Sequence, residues 1–264
     1  MNIDLSGKRA VVTGSTGGIG FAIAKGLAAS GASVVINGRT EERVKQAVDM
    51  LKAELPQAKA EGIAADLASA EGVNVFTERV PQADILVNNL GIFEPKNFED
   101  IPDADWFRFF ETNVMSGIRM SRAYIPGMKA KDWGRIVFIS SESGLNIPLE
   151  MIHYGMTKTA QIAVARGLAE SLAGTGITVN SVLPGPTRSE GVIDFFGKMA
   201  KDQGVSQAQM EQDFIAQHRP TSIIRRLASV DEVANMVVYA CSKEASATTG
   251  AALRVEGGLL RGIG

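Results

Sequence analysis

The sequence predicts an α/β fold, a doubly wound sheet of seven parallel strands with helices on both faces. Three observations carry that reading. Short apolar runs alternate along the chain with longer segments of helical period. The runs are apolar without polar alternation, as strands buried on both faces must be. A glycine-rich turn stands where the first run gives way to the first helical segment, where such sheets leave backbone N–H groups free to meet an anion.

In chain order, strands are expected at residues 9–13, 33–37, 62–65, 85–88, 136–140, 178–183 and 251–255. Helices are expected at 20–29, 41–55, 105–128, 154–173 and 231–242. No repeat, charge block or linker divides the chain, so residues 1–264 are expected to form one domain. Residues 185–220 break the regularity: Phe195, Phe196, Met199 and Met210 stand among polar residues, with a weak helical pattern and no strand. Such a segment over an α/β sheet reads as a lid or substrate loop, the alternative being a surface insertion or an oligomer contact.

Composition narrows the function. With 27 Lys and Arg against 29 Asp and Glu, the chain has no basic excess to bind nucleic acid or an anionic membrane. The single cysteine, Cys241, forms no internal disulfide and no cysteine metal cluster, and its usage fits a reducing compartment. Asp4 stands where a signal peptide would carry positive charge, and the first apolar run is too short to span a membrane. A cytoplasmic location is the expectation. The two histidines, His153 and His218, are too few for a catalytic zinc site, so no metal is expected.

The turn reads Thr13-Gly14-Ser15-Thr16-Gly17-Gly18-Ile19-Gly20. A dinucleotide pyrophosphate needs a tight turn, N–H groups aimed at it and a helix N-terminus. Gly14 permits the turn, Gly18 keeps a side chain off the phosphates and Gly20 lets the helix pack closely; a purely structural use of these glycines is the competing explanation. Together these features read as a Rossmann-like dinucleotide site, with Ser15, Thr16 and Ile19 among its contacts. The second strand ends Ile36-Asn37-Gly38-Arg39. It offers no acid for the ribose of NAD(H), and Arg39 can grip a 2′-phosphate, so NADP(H) is favoured over NAD(H). A merely exposed arginine, like Arg43 nearby, is the alternative.

Tyr154-Gly155-Met156-Thr157-Lys158 opens a helix, and the i, i+4 spacing puts phenol and ammonium on one face. A phenol with a free pKa near 10 needs such a cation to transfer protons near neutrality. Ser140 and Ser141 end the fifth strand, where either hydroxyl could bond a carbonyl oxygen gaining negative charge or simply cap the strand. Asn113 is a poor helix former inside a helix, for which exposure or capping is the plain explanation.

Taken together, these residues resemble the short-chain dehydrogenase/reductase family from Gly7 to Gly258. Asp66-Leu67 resembles its adenine contact, Asn88-Asn89-Leu90-Gly91 its Asn-Asn-Ala-Gly motif with Leu90 for the usual Ala, and Glu256-Gly257-Gly258 its Asp-Gly-Gly. The resemblance selects Ser141, thirteen residues before Tyr154, as the catalytic serine, and makes Asn113 the anchor of a proton-relay water. It implies that Tyr154 gives or takes the proton, that Lys158 binds the nicotinamide ribose, that Asn88 and Gly91 contact the cofactor, and that Pro184, Gly185 and Thr187 hold the carboxamide side. Thr157 replaces a common Ser, a change expected to be harmless.

The implied activity is hydride transfer between nicotinamide and a carbonyl or secondary alcohol. A 3-oxoacyl-thioester reductase and a non-catalytic dinucleotide-binding scaffold or redox sensor are the alternatives. A methyltransferase would leave Tyr154 and Lys158 unexplained. Candidate substrate contacts are Glu142, Leu145, Ile147, Met151, His153, Phe93, Glu94, Arg188 and Phe195, mostly apolar. Glu142 is either a hydroxyl- or amine-binding group or simply solvated, and exposure to solvent is the expectation for His153. The resemblance also implies a homo-oligomer, a tetramer, packed through the long helices.

Overall fold

The computed structural model describes residues 2–263, without the side chains of Phe195, Asp202 and Gln203. The substrate contact expected of Phe195 therefore lies outside the described residues. Seven strands form one parallel sheet in the order β3-β2-β1-β4-β5-β6-β9. They are β1 (Arg9–Val12), β2 (Ser33–Gly38), β3 (Ala60–Ala64), β4 (Ile85–Asn88), β5 (Gly134–Ile139), β6 (Ile177–Pro184) and β9 (Ala252–Val255). The expected strands lie at these places, with ends displaced by a residue or two.

Alternate side chains of one strand serve opposite layers. Ala10, Val12, Ile85, Val87, Val137 and Ile139 pack with α1 (Gly18–Ala29), α2 (Glu41–Glu54) and α9 (Val230–Ala240). Val11, Leu86, Ile136 and Phe138 face α3 (Ala70–Arg79), α5 (Ser116–Ala130) and α6 (Ile152–Ser171), whose Phe76, Met120, Tyr124 and Met128 are fully buried. Each such side chain contributes about 1.5–3 kcal/mol when removed from water. Burial on both faces explains why the strand sequences do not alternate.

Several local expectations are corrected. The helix expected at 105–128 is three pieces: α4 (Asp103–Phe110), a π-helical turn at Glu111–Met115, and α5. α3 was not anticipated, because its Gly72, Asn74 and Thr77 dilute the helical period; Ser69 caps it by accepting from the Gly72 N–H at 3.0 Å. The segment 185–220 is more ordered than expected. It holds α7 (Glu190–Gln203) and α8 (Gln207–His218), packed through Phe196, Ala200, Met210 and Ile215. It also starts with a strand, β7 (Thr187–Arg188), paired in parallel with β8 (Ala228–Ser229). Two-residue strands carry too little pattern to be read from sequence.

The first turn and β4 are locked together. The Thr13 hydroxyl accepts from the N–H groups of Asn89 and Leu90, while the Asn89 side-chain amide donates to the carbonyls of Thr13 and Gly14 at 3.0 and 2.9 Å. A Cβ at Gly20 would stand 2.5 Å from Asn89 Nδ2 and 2.5 Å from the Gly14 oxygen. Gly20→Ala is therefore expected to cost about 1–3 kcal/mol of unfolding free energy. The cost should appear as a lower urea midpoint at unchanged slope; a wild-type midpoint would contradict this packing.

Candidate active site

The C-terminal edge of the sheet gathers the expected site. At the first turn, Gly14 and Gly18 take left-handed conformations, φ +59° and +55°. Gly17 is the N-cap of α1 and, having no side chain, caps nothing, so the helix N-terminus faces outward with its N–H groups available. Ser15 is buried and bonds back to the Val12 carbonyl at 2.6 Å, which makes it a support of the turn. A Cβ at Gly17 would come within 2.8 Å of the Glu190 carboxylate at the start of α7. The cradle is thus formed between the glycine turn and the first residues of the 185–220 segment.

Other expected cofactor residues fall into two groups. Asn37 is buried and accepts from the Gly14 N–H at 3.1 Å, which ties the end of β2 to the turn. Arg39, two residues on, is exposed and has no hydrogen-bond or ion-pair partner among the described residues; Arg43 is exposed with its guanidinium equally unengaged. Asp66 is exposed, whereas Leu67 is buried in the core between the sheet and α3, α5 and α6. The Asn88 amide donates to Ser121 at 3.2 Å and leaves its own oxygen unpaired and buried. Leu90 packs against the same core, and its Cα lies 3.2 Å from where a Gly14 side chain would begin. Thr187 is buried and donates to Gly185, and Gly185 fits only because a Cβ there would meet Glu256 Cα at 2.8 Å.

Tyr154 and Lys158, expected to be the reacting groups, sit on α6. Lys158 is buried, with its Nζ donating to the Ile139 carbonyl at 2.9 Å and to Gln161 Oε1 at 3.1 Å, and standing 5.5 Å from the centre of the Tyr154 ring. Burial pulls its ammonium down to about 7. The half-buried Tyr154 phenol is pushed up to about 12 by burial; the Ser141 hydroxyl acts in the opposite direction, Glu142 raises it further and Arg219 lowers it. The serines divide their work. Ser140 donates to the Lys158 carbonyl at 2.8 Å, whereas Ser141 accepts from the Ser143 N–H and faces the phenol. Gly91 faces the same ammonium, since a Cβ there would lie 3.4 Å from Lys158 Nζ.

Asn113 is neither exposed nor a cap. It is buried at the centre of the π turn, accepts from the Ile92 N–H at 2.8 Å, and donates to the Ile92 carbonyl and to Thr157 Oγ1, both at 3.0 Å. Thr157, unremarkable in sequence, therefore anchors Asn113 to the catalytic helix.

The substrate side departs most from expectation. His153, expected to face solvent, is 0% exposed, packed 4.1 Å from the Phe109 ring, and neither imidazole nitrogen has a partner. Burial holds its pKa down. Glu142 is not solvated: it is buried and accepts from Arg219 Nε at 2.9 Å and from Ser143. Arg219 follows α8, 77 positions away, so no local pattern could have revealed the pair. Arg188 instead pairs with Glu211 and fastens α8. Glu94 joins a surface network with Arg108 and Lys96. Leu145 (53% exposed), Ile147 and Phe93 stay open, with the Phe93 ring edge-on to Tyr154 at 6.4 Å, and Met151 is half-buried. A cavity of about 430 Å³ between Leu145, Asn146 and the C-terminal residues is lined by none of Asn113, Ser141, Tyr154 and Lys158.

Comparisons with known proteins agree with this geometry. A family model described as short chain dehydrogenase matches residues 8–198. YvaG of Bacillus subtilis, an uncharacterized oxidoreductase, is 48% identical over 263 residues, covering 100% of both chains. D-beta-hydroxybutyrate dehydrogenase of Cupriavidus necator is 33% identical, covering 96% of this chain and 98% of the relative. Among solved structures, L-sorbose reductase of Gluconobacter frateurii complexed with NADPH and L-sorbose superimposes with a TM-score of 0.94 at 33% identity, covering 100% of both chains.

The buried ammonium has a consequence for stability. An unfolded lysine keeps its proton to about 10.5, whereas folded Lys158 loses it near 7. Between those values the unfolded chain binds more protons, so folding becomes more favourable as pH rises. Cofactor-free wild type is expected to gain stability relative to Lys158→Met as pH is raised from about 7 to about 10. Denaturant titrations of both at several pH values check this, and parallel stability curves would contradict it.

Proposed function

Because this chain belongs to the short-chain dehydrogenase family, an NAD(P)-dependent oxidoreductase family acting on alcohol and carbonyl groups, we propose that it is an NADP(H)-preferring reductase of an oxygen-rich ketone. The observation that carries the cofactor preference is the pair of unengaged guanidiniums, Arg39 and Arg43, after a β2 that ends in Asn37-Gly38. A carboxylate at that place would bind a ribose diol, whereas a guanidinium binds a phosphate through paired charged hydrogen bonds. The NADPH complex of L-sorbose reductase supports the same reading.

The chain's residues fit such a cofactor: the Gly14–Gly20 turn forms a cradle into which a Cβ at Gly17 would project, with a helix N-terminus behind it. When bound, the nicotinamide supplies or accepts the hydride. The glycine turn and Arg39 would hold the phosphates, Lys158 the nicotinamide ribose, and Pro184, Gly185 and Thr187 the carboxamide side, with Asn88 and Gly91 as further cofactor contacts. For reduction, Tyr154 is held protonated by its buried surroundings and donates the proton to the substrate oxygen. Ser141 holds that oxygen by a hydrogen bond.

Substrate character follows from what surrounds the phenol. Glu142 and Arg219 form a buried ion pair beside Ser141, while Phe93, Leu145 and Ile147 supply apolar walls. Hydroxyl groups flanking the carbonyl can add hydrogen bonds to the lone pairs and N–H groups that this ion pair leaves over, which an alkyl chain cannot. A polyhydroxy ketone is therefore the better fit, ahead of a 3-oxoacyl thioester.

A screen of ketones and secondary alcohols with NADPH and NADH in parallel tests this proposal. Polyhydroxy ketones should be reduced with NADPH in preference to NADH, and Tyr154→Phe should retain NADPH affinity while losing turnover. Arg39→Ala should weaken NADPH binding about 10-fold or more, since one charged hydrogen bond is worth roughly 1.5–3 kcal/mol, with little change for NADH. Equal or better turnover with NADH, or a silent panel despite tight NADPH binding, would overturn it.

A further inference from the structure

Gln161 lies one turn beyond Lys158 on α6, 1% exposed, and its side chain joins two parts of the site. Its Oε1 accepts from Lys158 Nζ at 3.1 Å, and its Nε2 donates to the main-chain carbonyl of Asn113 at 2.6 Å. That carbonyl belongs to the π turn, where the helix is widened. Gln161 is therefore a direct bridge between the buried ammonium and the kinked helix, and Tyr154, Lys158 and Gln161 occupy one face at i, i+4 and i+7.

We propose that Gln161 is a positioning residue that favours the charged form of the buried Lys158 through a neutral amide, and thereby lowers the pH at which Tyr154 ionises in the cofactor-bound enzyme. This rests on the reading of Tyr154 and Lys158 as the reacting pair.

The chemistry of the amide supports that role. Among the described residues Lys158 is bonded to two carbonyl oxygens, those of Ile139 and Gln161, and to no carboxylate. Each oxygen favours the charged form against the cost of burial, and only the Gln161 oxygen belongs to a side chain. An amide bonds both neighbours but does not ionise in the working pH range, so it holds the cation without exchanging protons with it. The groups facing the phenol are Lys158 from its own helix, Ser141 and Glu142 from the segment after β5, and Arg219 from the segment after α8. All of them persist when Gln161 is replaced, which isolates its contribution.

The test is an ultraviolet titration of tyrosinate in the NADP⁺-saturated protein, which has only 3 tyrosines, with Tyr154→Phe subtracted to leave the Tyr154 step. Gln161→Met, similar in length but unable to bond either partner, should move that step up by about one pH unit, the size expected for losing one hydrogen bond to a charged group. Gln161→Asn, too short to span both partners, should move it in the same direction and serves if the Met variant does not fold. A step unmoved in a folded, NADP⁺-binding variant would overturn the role of Gln161. If Tyr154→Phe keeps most of the wild-type turnover while still folded and binding NADP⁺, the reading of Tyr154 as the proton donor fails instead.

Discussion

The whole site turns on one costly placement, an ammonium sealed at the C-terminal edge of a parallel sheet. Lys158 is buried, and among the described residues no carboxylate is bonded to it. Withdrawing a cation from water without an anion is unfavourable, and the fold meets that cost only in part with carbonyl dipoles. The Ile139 carbonyl exists at the right place because β5 ends there; the Gln161 carbonyl does because α6 carries it one turn on. Gly91 and Gly144 keep the approach clear, since a side chain at the first would meet the ammonium and one at the second the Lys158 backbone. In the free enzyme the lysine is poised near neutrality and the neighbouring phenol well above it. Site groups so displaced from their ordinary values are typical of proton-transfer chemistry.

The neighbouring elements hold this arrangement from several directions. Asn113 does so through its side chain on Ile92 and Thr157 and its carbonyl on Gln161, which a straight α-helix at 111–115 would not present in the same way. The segment 185–220 reaches over the site at both of its ends. Glu190 begins α7 above the glycine turn, and Arg219 leaves α8 to bind Glu142 beside Ser141. An ion pair so close to Ser141 and Tyr154 couples the position of α8 to this end of the site, because removing either partner would leave a buried charge unanswered.

How much of this was legible in the sequence depended on whether a feature is local. β1, the glycine turn and the Tyr154–Lys158 spacing are contiguous patterns with a single physical explanation, and they lie where expected. β7 and β8 are too short to have a period, and α3 has a diluted one. The π turn is invisible because one added residue per turn leaves no compositional mark. His153 was misjudged because a lone histidine at a helix start looks exposed, yet the aromatic face of α4, with Trp106 and Phe109, closes over it. Arg219 could not have been found, since its partner lies in another element. Gln161 could have been: a polar residue at i+3 from the lysine, on a helix face otherwise turned inward, is a signal of the kind that revealed Tyr154.

The central claim is that the fold, before any ligand arrives, brings Lys158 to the edge of deprotonation. The most direct measurement is the ¹⁵N or ¹³C chemical-shift titration of the Lys158 side chain in the cofactor-free protein, assigned by comparison with Lys158→Met. The account predicts a midpoint near 7. A midpoint at the ordinary lysine value of 10.5 would contradict it.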